Sequence, residues 1–282
     1  MTINDVLAAL GVVLNGIPQA LLAATYGFAS IPTAFGFIVG AVACLFYGSA
    51  IPISFQAETI ALAGMLGKDI RERLSIILFS GITMVILGLT GTLSIIVNFA
   101  GSTIINAMMA GVGIMLTRIS LAGLKESRVV TASSIVSAFI TYFFFGQNLV
   151  YTIVVCVVFS SLVANIFKIN FGGGIIENYK KIEIKKPIIN LNVIRGALAL
   201  ACLTIGANIA FGNITASMSE KYEANIDFLT IYSGLADAVS SLFGGGPVEA
   251  IISATAAAPN PLASGILMMA IMAAILIFGL LP

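Results

Sequence analysis

Histidine and tryptophan are absent from this sequence, and charged residues are scarce. Asp, Glu, Lys and Arg together make up 9% of the 282 residues. Without imidazole, any proton relay has to use carboxyl groups, and the commonest metal ligand is missing. Soluble domains carry about a quarter charged residues, so this composition cannot form a water-exposed surface. With 59% hydrophobic residues, the chain is predicted to be an all-α, multi-pass membrane protein.

The few cysteines and the lack of catalytic motifs exclude several other classes. Cys44, Cys156 and Cys202 are scattered in apolar stretches, which is typical of buried small side chains and not of a disulfide framework. No phosphate-binding loop, histidine-containing triad or metal-ligand spacing is present, so the sequence indicates neither an enzyme nor a cofactor. A net charge of +1 without a basic patch does not indicate nucleic-acid binding.

Apolar runs of about 20 residues, the length of one bilayer crossing, recur along the chain. They predict roughly eleven spans, with approximate limits 5–26, 31–49, 51–67, 74–95, 99–122, 129–146, 148–167, 194–213, 227–243, 247–258 and 262–281. The polar stretch 168–193 is predicted to be a surface linker between two membrane halves.

The third and tenth spans are each interrupted by a proline and carry a carboxylate just after it. These segments are residues 51–58, with Pro52 and Glu58, and residues 243–249, with Pro247 and Glu249. A carboxylate in the bilayer core costs roughly 2.5–3.5 kcal/mol even on insertion scales. Proline and the triple glycine oppose continuous helix. Each span should therefore contain a short extended segment and a half-helix, the second half-helix beginning at the proline.

Interrupted spans in matching places of two halves are the best sequence indication of a transporter's binding site. Irregular backbone survives at membrane depth only where protein or a water-filled cavity satisfies its polar groups. We therefore expect both breaks to line one cavity, with positive helix ends directed at it. The third and tenth spans are seven apart, as expected for two seven-span repeats.

The residues around the second break resemble the nucleobase–cation/ascorbate symporter family, the xanthine and uracil permeases. Residues 234–247 resemble the glycine-rich segment before that family's broken tenth helix, and 98–114 resemble its fifth helix. Residues 16–21 and 261–263 are equally similar to the sulfate permease family, which shares the fold. The resemblance implies a seven-plus-seven inverted-repeat transporter with core and gate domains, of which the last gate helices are missing here.

On this pattern, residues 1–98 and 194–282 are expected to form the two halves of the core domain. Residues 99–167 would form the first half of the gate domain, joined to the core by the linker 168–193. The family fold implies a cytoplasmic N-terminus in the cell membrane. The basic residues, however, cluster in loops that place the N-terminus outside. The sequence leaves this sidedness open, and it leaves a homodimer open as well.

The resemblance implies a secondary transporter that moves a nucleobase by alternating access, coupled to a proton or sodium ion. Side-chain amides suit a planar base because they offer a donor and an acceptor together. An aromatic ring can stack on the base, and a buried carboxyl can carry a proton. The candidate substrate-binding residues are Phe55, Gln56, Glu58, Asn208, Gly246, Pro247, Glu249 and Ser253, and the candidate proton-coupling residues are Glu58 and Glu249. Gln19 and Asn15 are weaker candidates.

Structural alternatives and departures from the family pattern leave other interpretations open. Asn208 could instead join two helices, and Glu249 could cap a helix. Ser253 stands where the family usually has a glutamate, and the eighth span offers only amides where the family has a carboxylate or histidine. The alternatives are a sulfate-type anion permease, which two carboxylates at the site argue against, and a non-transporting fragment or assembly subunit.

Overall fold

A computed structural model describes residues 1–169, 182–219 and 222–281, which include all but residues 170–181 of the predicted linker. The described ranges contain ten α-helices, two short strands and one 3₁₀ turn. In chain order these are α1 (Ile3–Thr25), α2 (Ser30–Tyr47), β1 (Ile53–Ser54), α3 (Ala57–Leu66), α4 (Ile70–Leu89), α5 (Thr92–Glu126), α6 (Arg128–Phe144), α7 (Leu149–Ile166), α8 (Leu191–Ser217), α9 (Ile226–Leu242), β2 (Glu249–Ala250), the 3₁₀ turn (Ala254–Ala257) and α10 (Pro261–Phe278).

Five of the helices in these ranges, α1, α2, α4, α8 and α10, are long and apolar enough to cross a membrane. Three of the five starts, those of α1, α4 and α8, carry a side-chain cap. The Thr2 hydroxyl accepts from Asp5 N while the Asp5 carboxylate accepts from Thr2 N. Asp69 caps α4 by accepting from Glu72 N, and Asn190 caps α8 by accepting from Val193 N. The helix starts therefore fall close to the limits that the apolar runs predict.

Glycine contacts bring α4 and α9 unusually close together. A Cβ placed on Gly81 would lie 2.6 Å from Gly234 O, and one on Gly234 would lie 2.6 Å from Gly81 O. Membrane helices associate through such small residues, because burial of apolar surface gives no driving force in lipid. This contact joins a helix of the first half of the chain to a helix of the second half.

The two interrupted spans meet as an antiparallel pair of strands. Ile53 lies opposite Ala250, and Ser54 lies opposite Glu249. All four residues are buried. After β1 the helix resumes at Ala57, so the extended segment and half-helix predicted for the third span are both present.

The half-helix predicted to begin at Pro247 is absent. The chain instead stays extended through β2 and forms only the 3₁₀ turn Ala254–Ala257. Pairing with β1 and a hydrogen bond from Val248 N to Asp237 Oδ1 (2.8 Å) hold the backbone extended. Glu249 is therefore a strand residue, and its interpretation as a helix cap is wrong.

Helix α5 contains a sharp change of direction at Gly101, whose φ of 70° and ψ of 169° are non-helical. Other residues rarely adopt this positive φ, so glycine is needed here. The predicted fifth span, 99–122, is accordingly part of a longer helix that starts at Thr92. The predicted boundary between core and gate, after residue 98, lies next to this kink, and the division into domains stays a prediction.

Candidate functional site

A cavity of about 430 Å³ lies beside the paired strands. It is bounded by α1, the start of α3, α8 and the chain that follows β2. Its lining residues are Val12, Asn15, Gly16, Gln19, Ser54, Phe55, Gln56, Ala57, Glu58, Phe211, Ile251 and Ile252. The first break contributes to this lining, as the sequence predicts. Residues 243–249 of the second break do not, and the tenth span reaches the cavity only beyond the break, at Ile251 and Ile252. Glu58 is the charged residue in this set, and the set contains no lysine or arginine.

The N-terminal end of α3 opens into the cavity. Its first residues, Ala57 and Glu58, are lining residues, and no side chain caps the helix start. The first backbone N–H groups of a helix have no partner within the helix, and they carry partial positive charge. The Glu58 carboxylate, in the first turn, is stabilised by the same partial charge. The start of α3 therefore offers both donors and a carboxylate to a bound solute.

Gln56 lines the cavity, but its amide is largely engaged within the protein. Its Nε2 donates to Ala250 O of β2, and its Oε1 accepts from Thr59 Oγ1 at 2.9 Å. Because these bonds use one donor and one acceptor, the side chain braces the start of α3 against β2. A smaller share of its hydrogen-bonding capacity remains for a substrate than the sequence suggests.

Phe55 is 2% exposed, and its ring packs edge-on against Phe37, with the ring centroids 5.2 Å apart. The ring thus has a packing role at the cavity wall.

Gln19 also lines the cavity, and its Oε1 is buried without a hydrogen-bond partner in the described part of the chain. A buried amide oxygen normally has a donor. Gln19 is therefore a stronger candidate for substrate contact than its isolated position in the sequence indicates.

Several predicted site residues lie behind the cavity wall. Asn208 is fully buried, and its Nδ2 donates to Thr230 Oγ1 (3.2 Å) and Ser233 Oγ (3.1 Å), which joins α8 to α9. Ser253 Oγ accepts from Thr255 N and caps the 3₁₀ turn. The structure does not bring either residue to the cavity lining.

The glycine–proline break itself is held by contacts to α2 and α9. Gly246 N donates to Thr33 Oγ1 at 2.9 Å, and Gly246 O accepts from Ser240 Oγ at 2.6 Å. Pro247 is buried beside it. Both residues shape the backbone that leads into β2 and lie outside the lining residues. Their predicted substrate contact stays a prediction.

Glu249 also lies outside the cavity lining. Its Oε1 accepts from Thr204 Oγ1 of α8 at 2.7 Å, and the residue is 1% exposed. The two candidate proton-coupling carboxylates therefore occupy different environments. Glu58 faces the cavity, whereas Glu249 is enclosed between α8, α9 and the strand pair.

The chain matches no family model and no curated protein. Among solved structures it is similar to the transmembrane domain of a cyanobacterium bicarbonate transporter, BicA, with a TM-score of 0.61 and 14% sequence identity. The similarity covers 98% of this chain and 82% of that domain. The chain thus has the fold of a membrane transporter domain, as predicted. At this identity the likeness supports the shared fold and not the nucleobase family.

Proposed function

We propose that this chain is a secondary transporter that binds a small polar solute in the cavity beside β1 and β2 and moves it by alternating access. The observation that carries the proposal is the antiparallel pairing of the two interrupted spans, next to a cavity that both of them line. Transporters place substrate sites near the bilayer midplane, where discontinuous helices meet. The proposal includes four further points: the fold is a seven-plus-seven repeat, the protein lies in the cell membrane, transport is coupled to an ion, and the protein can form a homodimer.

Two substrate classes have specific support. A small inorganic anion is favoured by the structural neighbour, which transports bicarbonate, and by the uncapped start of α3, whose N–H groups attract negative charge. This supports the anion-permease alternative over the nucleobase, and we rank the anion first.

A nucleobase is favoured by the lining of the cavity itself. The lining contains the Glu58 carboxylate and no lysine or arginine to balance an anion. The amides of Asn15 and Gln19 and the hydroxyl of Ser54 can donate to and accept from an uncharged planar solute. A nucleobase is therefore the second candidate.

Glu58 separates the two classes because its removal has opposite effects on them. In Glu58→Gln, an anion loses a repelling charge, so its uptake should rise on the order of tenfold at subsaturating concentration. A nucleobase loses a charge-assisted hydrogen bond, worth about 1.5–3 kcal/mol, so its uptake should fall tenfold or more. Glu223→Gln is the matched control, because Glu223 is exposed and lies outside the lining.

The measurement is uptake of labelled bicarbonate, sulfate, uracil and xanthine into proteoliposomes containing the purified chain. Uptake of any one of them by the unmodified protein supports transport, and the direction of the Glu58→Gln effect assigns the class. If none of the four solutes enters above the level of empty liposomes, both proposed substrate classes are wrong.

A further inference from the structure

Two carboxyl groups from different elements meet in the protein interior behind β2. Asp237 of α9 is 2% exposed and Glu249 of β2 is 1% exposed, and the two side chains lie within hydrogen-bonding reach of each other. Asp237 Oδ1 accepts from Val248 N (2.8 Å), and Glu249 Oε1 accepts from Thr204 Oγ1 (2.7 Å). Glu249 Oε2 is buried, and no N–H or hydroxyl in the described ranges donates to it.

No cation balances this carboxyl pair in the described part of the chain. The salt bridge found there joins Lys185 to Glu183 and does not involve the pair. Arg195 lies nine residues before Thr204 on α8, about 14 Å along the helix axis. Arg73 lies eight residues before Gly81, the α4 residue that packs against Asp237, which is about 12 Å along α4. Both arginines are therefore remote from the pair.

The remaining groups on the surrounding helices do not compensate the charge either. Helix α2 contributes Cys44, which contacts Ile51 O, and α9 contributes Tyr232, whose hydroxyl also donates to Ile51 O. Asp227 accepts from Leu93 N at the start of α5, and Glu72 Oε2 accepts from Lys68 N just before α4. Two adjacent buried carboxylates with no cation cannot both be ionised at acceptable cost.

We infer that Asp237 and Glu249 share one proton and that this pair is the ion-coupling centre, an assignment whose transport role rests on the proposed function. One carboxyl donates its O–H to the carboxylate of the other, so the pair carries one negative charge. When a movement of β2 admits water to the pair, the proton leaves and water hydrates the two carboxylates, which are then both ionised. When a proton returns and the water is expelled, the hydrogen bond re-forms. The second carboxyl of the pair thus comes from Asp237 on α9, because Asn208 on α8 is an amide and cannot carry the proton.

The position of the pair connects it to the cavity. Glu249 is opposite Ser54 in the strand register, and Ser54 lines the cavity. Two residues beyond Glu249 the chain itself lines the cavity, at Ile251 and Ile252. A change in the charge of the pair therefore acts directly on β2, which pairs with the cavity-lining Ser54 and leads into Ile251 and Ile252. Glu58, which faces the cavity, is left to contact the substrate.

Infrared spectroscopy of the purified protein tests the shared proton without any substrate. A buried protonated carboxyl gives a C=O stretch that is separate from the bands of ionised carboxylates and of the backbone. The unmodified protein should show such a band at neutral pH. Asp237→Asn and Glu249→Gln should each abolish the whole band, because either amide can donate to the remaining carboxylate and leave it ionised. The matched control Glu58→Gln should retain it.

The opposite results are equally definite. The absence of the band from the unmodified protein overturns the inference directly, and this needs no variant to fold. A band that persists in both variants also overturns it, as does one that falls only by half in each, since that indicates two independently protonated groups. The double exchange D237E/E249D keeps both carboxyls and should keep the band, and retained elution volume and helical circular dichroism establish that each variant folds.

Transport gives the second readout. Asp237→Asn should reduce proton-driven uptake at least tenfold while leaving substrate exchange without a proton gradient measurable. Loss of the infrared band together with normal proton-driven uptake would separate the pair from coupling. An intact band in a protein that transports none of the tested solutes would contradict the proposed function and leave the shared proton standing.

Discussion

Ser54 and Glu249 lie opposite each other in the antiparallel pair that joins the two interrupted spans, and of the two residues Ser54 alone lines the cavity. Ser54 lines the cavity, whereas the Glu249 carboxylate is enclosed with Thr204 and Asp237. Two positions paired across short strands thus place a cavity-lining residue next to a buried acidic pair. Any movement of β2 relative to β1 alters both at once, which is what the proposed ion-coupled transport would use.

Gln56 should contribute to stability more than to binding. Gln56→Ala removes the donor from Ala250 O and the acceptor from Thr59 Oγ1, and it leaves buried polar groups unpaired at a cost of about 1–3 kcal/mol. We expect the thermal unfolding midpoint in detergent to fall by several degrees. Gln19→Ala is the matched control, because Gln19 Oε1 has no partner in the described chain, and its midpoint should stay nearly unchanged. Equal losses in the two variants would contradict the bracing role of Gln56.

The close approach of α4 and α9 should not tolerate a methyl group. In Gly81→Ala the new Cβ would lie 2.6 Å from Gly234 O and 3.1 Å from Ala238 N, which are backbone atoms that cannot move aside independently. Overpacking of this kind costs about 1–3 kcal/mol or more, so thermal stability should fall clearly.

The control for this helix contact is Gly206→Ala on α8. Apart from the backbone of α8 itself, no atom of the described residues lies within 4 Å of a Cβ added there, and replacing a helical glycine by alanine gains up to about 1 kcal/mol. The variant should be as stable as the unmodified protein or more stable, as measured by thermal unfolding in the same detergent. A loss of stability equal to that of Gly81→Ala would show that the α4–α9 contact is not what limits substitution at Gly81.

The interrupted spans were predictable because proline, triple glycine and an isolated carboxylate are anomalies in an apolar sequence. The extended segment at 51–56 and the resumption of helix at Ala57 follow from local preferences, and both are present. The failure at Pro247 has a tertiary cause. Proline suits a first helical turn, but pairing with β1 and the bond from Val248 N to Asp237 fixed the extended conformation instead.

Which residues come together at the site was harder to predict from the sequence than the fold was. Asn208 and Glu249 look equivalent to Gln56 and Glu58 as polar residues in apolar spans, yet they lie behind the wall, on α8 and β2. Which side of a two-residue strand faces the cavity depends on register, and register follows from a pairing between distant segments. For the same reason Asp237 could be placed on a span but not assigned to a partner before the structure was known.

The distribution of basic residues and the permease resemblance imply opposite orientations of the chain in the membrane, and this disagreement can be tested. Arg71 Nε donates to Lys186 O at 2.7 Å, so the start of α4 and the end of the linker lie at one end of the molecule, together with Lys68 and Lys185. Glu223, which precedes α9, lies at the opposite end of the molecule. Basic loops remain cytoplasmic during insertion, and we therefore predict that the end carrying Lys185 is cytoplasmic, opposite to the orientation that the permease resemblance implies.

Labelling of single cysteines with a membrane-impermeant maleimide measures this orientation in intact cells. The three native cysteines are replaced by alanine, and Lys185→Cys, at a partly exposed linker residue, and Glu223→Cys, at an exposed residue of the α8–α9 connection, are introduced separately. Glu223→Cys should react in intact cells, and Lys185→Cys should react only after the membrane is permeabilised, because the reagent cannot otherwise reach the cytoplasmic face. The reverse pattern would mean that the fold determines insertion against the charge bias. Labelling of both sites in intact cells would indicate that the chain inserts in two orientations.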